Sequence, residues 1–86
     1  MTVLKCIAVD DEPLALRLVE TFIEQTPFLE LISTCDNAVD AMGLIRETKP
    51  DLVFLDINMP NLSGMELARL IQDQAGPLPK IIFTTA

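Results

Sequence analysis

Leu4-Lys5-Cys6-Ile7-Ala8-Val9-Asp10-Asp11-Glu12-Pro13 is the stretch on which the fold turns. An aliphatic run that stops on two acids reads as a buried strand leaving the core, because a carboxylate resists burial. Glu12-Pro13 then opens a helix, with an acid at the cap and Pro at the first helical position, where its missing N–H goes unneeded. The expected core stripe is Ala15, Leu18, Val19, Phe22 and Ile23, spaced i, i+3, i+4, i+7, i+8, and Thr26-Pro27 ends the helix.

The same alternation continues outward. Residues 29–34 (Leu-Glu-Leu-Ile-Ser-Thr) are less apolar than the first run and fit an edge strand. Asp36-Asn37 caps a second helix with the stripe Ala38, Ala41, Met42 and Ile45, which stops before Lys49-Pro50 because a residue preceding Pro avoids helical angles. Residues 51–55 (Asp-Leu-Val-Phe-Leu) are nearly continuously apolar, as a central parallel strand covered on both faces requires. Ser63 and Glu66 make a capping box for a third helix facing inward through Leu67, Leu70 and Ile71, with Gly76-Pro77 as its end. Residues 80–84 form a fourth strand. The pattern βαβαβαβ, with right-handed crossovers, predicts one parallel sheet with helices on both faces.

Composition narrows the function. The 86 residues suffice for one domain or part of one, and 50% hydrophobic with 5% aromatic content is that of an aliphatic α/β core. Six Lys+Arg against 13 Asp+Glu give a formal charge of −7, which opposes direct contact with a phosphate backbone or an anionic membrane surface. No basic, apolar leader and no run of about 20 apolar residues is present, so a cytoplasmic location is expected. Cys6 and Cys35 fall at opposite ends of neighbouring strands, beyond disulfide reach, and are expected as reduced thiols.

Ligands in open parallel sheets bind outside the carboxyl ends of the strands, and Asp10, Asp11, Asp56 and Thr85 all fall there. Three carboxylates a few ångströms apart repel one another unless a hard cation with oxygen ligands neutralises them, so Mg²⁺ is the expected cofactor. Asp56, alone at its strand end, suits either a metal ligand or a nucleophile toward phosphorus. Thr85 offers a hydroxyl for a phosphoryl oxygen.

Val9-Asp10-Asp11-Glu12-Pro13, Phe54-Leu55-Asp56-Ile57-Asn58-Met59-Pro60 with Ser63-Gly64, and Ile82-Phe83-Thr84-Thr85-Ala86, in this order, resemble the receiver domain of bacterial two-component response regulators. Asp-Asp-Glu-Pro-Leu-Ala and Ile-Ile-Phe-Thr-Thr-Ala look most like receivers that precede a LytTR-type DNA-binding domain. The resemblance implies a flavodoxin-like (CheY-like) sheet of order 2-1-3-4. It makes Asp56 the phosphoacceptor, supplied by the phosphohistidine of a sensor histidine kinase. It places Mg²⁺ on carboxylate oxygens of Asp11 and Asp56, on the backbone carbonyl of Asn58, and on Asp10 through water. Thr85 becomes the switch hydroxyl, with Thr84 as the second choice, and Glu12 either caps its helix or joins the site.

Family receivers run to about 120 residues, so residues 1–86 correspond to the N-terminal portion, without counterparts of the fifth strand, two further helices, the Lys that pairs with the phosphoryl group and the aromatic switch residue. Lys80 lies at the wrong end of its strand to substitute. Two expectations attach to the 86-residue chain: slow phosphorylation, since a cation near the phosphoryl oxygens is lacking, and self-association through the apolar strand 80–84. A phosphatase of the haloacid dehalogenase type would need an Asp two positions after the nucleophile and a Thr or Val two further on, where this chain has Asn58 and Pro60. A nucleotide-binding domain would need a Gly-rich loop where this chain has Asp-Asp-Glu-Pro. The alternative within the fold is a receiver-like interaction module that is not phosphorylated.

Overall fold

The structure is a computed structural model that describes residues 2–57, 59, 64–73, 76 and 78–84. Its elements are β1 (Leu4–Val9), α1 (Pro13–Glu24), β2 (Leu29–Cys35), α2 (Ala38–Thr48), β3 (Leu52–Asp56), α3 (Gly64–Gln72) and β4 (Lys80–Thr84). The strands form one parallel sheet in the order β2-β1-β3-β4, as expected. β1 and β3 are central and apolar on both faces, whereas β2 and β4 carry the exposed positions of the sheet edges.

Alternation along the two central strands sorts the core into two layers. Cys6, Ala8 and Phe54 point toward α1 and pack with Ile23, flanked by Leu16, Val19, Leu29, Leu31 and Leu52. Ile7, Val9, Val53 and Leu55 point the other way, against Ala38, Ala41 and Ile45 of α2 and Leu67, Ala68 and Ile71 of α3. Helices on both faces make the sheet doubly wound. Each fully buried Ile or Leu in these layers, such as Ile7, Leu55, Leu67 and Ile71, contributes about 1.5–3 kcal/mol by leaving water.

The helix faces differ from the expected stripes in three places. On α1 the inward positions are Leu16, Val19 and Ile23, while Leu18 is 72% exposed. Phe22 is half outside, and its ring meets Phe54 edge-on at 6.2 Å between centroids. On α3, Ala68 is buried and Leu70 faces out. An amphipathic helix with more apolar residues than one face can hold leaves its orientation to the sheet it meets, so periodicity alone admitted both choices.

Local signals held at most boundaries. Asn37 caps α2: its Oδ1 accepts from the Asp40 N–H at 2.8 Å, and its Nδ2 donates to Asp36 and Asp40 at 2.9 Å each. Lys49 ends α2 in the left-handed conformation, φ 49°, immediately before the buried Pro50. Strand β2 runs one residue further than read, to Cys35, and β3 is displaced by one so that Asp56 closes it. The Ser63 half of the capping box and Pro77 lie outside the described residues. Both thiols are free, and they lie on opposite faces of the sheet, Cys6 in the layer against α1 and Cys35 in the layer against α2 and α3.

Candidate functional site

The carboxyl rim of the sheet is set by register. Val9 lies beside Cys35 on one side and Leu55 on the other, so Asp10 and Asp56 emerge as neighbours one residue further on. The Asp10 N–H donates to the Cys35 carbonyl at 3.1 Å, which ties the strand end to β2 before the chain turns. Asp10 Oδ1 then accepts from the Glu12 N–H at 2.9 Å, fixing one carboxylate oxygen at the entrance to α1. Glu12 occupies the N-cap position but makes no side-chain capping bond, so the carboxylate serving the turn is that of Asp10.

Asp10, Asp11 and Asp56 each offer an oxygen, and the three oxygens lie within 4.8 Å of one another. Asp10 and Asp56 are buried, at 5% and 6% exposure, and Asp11 is open to solvent. Burial is the main cause that raises the Asp10 carboxyl above the usual carboxylate range. The Glu12 N–H opposes that rise, while the negative charges of Asp56 and Asp11 and a hydrogen bond with Asp56 add to it. A carboxylate in this setting holds a proton more readily unless a cation takes its place.

The donor set fits Mg²⁺. Oxygens bound at about 2.0–2.1 Å lie roughly 3 Å apart when adjacent and 4.2 Å apart when opposite in an octahedron, and three oxygens already within 4.8 Å of one another reach that arrangement by side-chain rotation alone. Two buried acids and one exposed acid leave the remaining positions to water and incoming oxygens, the partly hydrated arrangement Mg²⁺ prefers. When bound, the ion would screen the negative charge of a carboxylate and of a phosphoryl group approaching it.

Of the residues read as the site, Asp10, Asp11 and Asp56 are brought together, while Asn58 and Thr85 lie outside the described residues. Thr84 is half-buried, in register with Asp56, and its carbonyl accepts from the Ile57 N–H at 3.4 Å. Met59, three residues after Asp56, is buried within the α2–α3 layer. Lys80 begins β4 beside Leu52, a strand's length away from Asp56. The backbone carbonyl of Cys35, which positions Asp10, escaped the sequence reading, since a main-chain acceptor leaves no side-chain signature.

A doubly wound parallel sheet with three acids gathered at its carboxyl rim defines a class of α/β domain whose ligands would meet at that rim. The family of that class is shown by comparison: residues 6–86 match the response regulator receiver domain, and the chain belongs to that family. It is 37% identical over 83 residues to the transcriptional regulatory protein BtsR of Escherichia coli, covering 96% of this chain and 34% of that protein. It is 44% identical over 81 residues to an uncharacterized response regulatory protein of Shewanella oneidensis, covering 94% of this chain and again 34% of the relative. The chain thus spans about a third of the length of these relatives. Among solved structures, the response regulatory domain of mrkE from Klebsiella pneumoniae superposes with a TM-score of 0.84 at 36% identity, over 95% of this chain and 66% of that one. The receiver domain of NarL from Mycobacterium tuberculosis gives a TM-score of 0.88 at 22% identity, over 99% of this chain and 68% of that one, a likeness of fold.

Proposed function

We propose that this chain is the phosphoacceptor part of a two-component response regulator, in which Asp56 accepts a phosphoryl group from the phosphohistidine of a sensor histidine kinase. The observation that carries this reading is the convergence of Asp10, Asp11 and Asp56 within 4.8 Å at the carboxyl rim. Asp56 lies at the end of a central strand and its backbone is fixed by pairing with β4, so its oxygen is presented rigidly for in-line attack. Asp10 and Asp11 would hold Mg²⁺ with Asp56, and Asn58 would add its backbone carbonyl. Thr85 would supply the hydroxyl that follows the phosphoryl group. The domain is a switch that takes part in its own phosphorylation and dephosphorylation rather than a turnover enzyme.

The output lies outside this chain. A relative named as a transcriptional regulator supports a DNA-binding output domain, and the LytTR-like motifs support that type. A charge of −7 opposes direct nucleic-acid contact by this segment, so such contact would fall to the output domain. No helix among the described residues is long and apolar enough to cross a membrane, and the cytoplasm is the compartment in which a kinase partner would meet it. We also propose association through β4, one of the two sheet edges among the described residues, which exposes Ile82 and Phe83. A monomer by light scattering at high concentration would count against association.

The central test is incubation with Mg²⁺ and acetyl phosphate, followed by intact-mass spectrometry. A single phosphoryl adduct that is lost in Asp56→Ala and kept in Asp40→Ala supports the assignment. An adduct that survives Asp56→Ala overturns it, as does the absence of any adduct in a longer chain carrying the same residues.

A further inference from the structure

We draw no further inference here: the strongest candidate, the cleft of about 520 Å³ at the amino ends of β1, β3 and β4, where Leu4, Pro50, Leu52 and Leu78 form apolar walls between Lys49 and Lys80, is an unpartnered face, and nothing in the structure shows what covers it.

Discussion

Two aspartates bracket β3, and they do opposite work. Asp51, at the amino end, is exposed and fully engaged with neighbouring strands. Its Oδ2 accepts from the Lys5 N–H at 2.8 Å, its own N–H donates to the Lys5 carbonyl at 2.8 Å, and its carbonyl accepts from the Lys80 N–H at 2.9 Å. Asp56, at the carboxyl end, is buried and gathered with two other acids. One carboxylate ties the start of β3 to β1 at a rim where a single charge meets a main-chain donor, and the backbone of the same residue reaches both β1 and β4. The other is held where like charges accumulate, an arrangement that costs stability and makes sense as a cation site. The same residue type thus serves architecture just before β3 and joins an acidic cluster at its end.

The comparison can be broken most sharply at Asp56. Asp56→Ala should abolish phosphoryl incorporation from acetyl phosphate while leaving the fold intact, read by mass spectrometry and circular dichroism; a variant that unfolds would make Asp56 structural, like Asp51. Asp51→Ala should do the reverse, keeping the adduct and lowering unfolding free energy by about 0.5–1.5 kcal/mol for the lost hydrogen bond to Lys5, with the backbone bonds remaining. Equal loss of phosphorylation in both variants would erase the distinction between the two rims.

Metal linkage sharpens it further. Mg²⁺ at 100 times its dissociation constant should stabilise the wild-type chain by about 2.7 kcal/mol, seen as a rise in melting temperature. Asp10→Asn should lose most of that rise and Asp51→Ala should keep it. A rise preserved in Asp10→Asn would remove Asp10 from the cation site.

Smaller effects belong to the amino rim and the thiols. Lys49→Gly should raise the unfolding free energy by about 1 kcal/mol or less in denaturant titration, because relief of the left-handed strain, about 1–2 kcal/mol, exceeds the extra entropy Gly loses on folding, about 0.5–1 kcal/mol. Burial raises both thiols, Cys35 to about 11 and Cys6 above its ordinary value of 9.0. A folded-state pKa above the unfolded one means that the folded chain keeps its thiol protons longer. The associated stability is therefore complete below pH 9 and declines as pH climbs toward about 11. The melting temperature of the wild type should fall more steeply over that window than that of a Cys6→Ala, Cys35→Ala double variant. Parallel slopes would show that the thiols remain solvated in the native state.

How far the sequence reaches depends on how local the signal is. Pro13, Asn37 and Pro50 act on their own backbone or on the next turn, and the boundaries they imply match the structure closely. The nearly continuous apolar run of β3 marked it as a central strand, and the order 2-1-3-4, implied by the resemblance to receiver domains, is the one the sheet has. Asp10, Asp11 and Asp56 were legible as a site because each closes a strand, and strand ends in a parallel sheet share one rim.

Other features needed the assembled chain. Which side of α1 turns inward was settled by the sheet: Leu16 and Val19 found the groove beside Cys6 and Phe54, and Leu18 did not. The division of the two thiols between opposite layers depends on strand register, including the irregularity in β1–β2 pairing between Cys6 and Ile7. The main-chain bonds from Cys35 to Asp10 and from Asp51 to Lys5 and Lys80 join residues far apart in sequence through groups every residue carries. By itself the sequence determined the sheet, its helices and the acids at its rim, because strand burial and helix capping are written in side chains. Only the tertiary structure decided how closely those acids meet and what holds them there, because proximity across strands is set by register and hydrogen bonding of a backbone that has no sequence of its own.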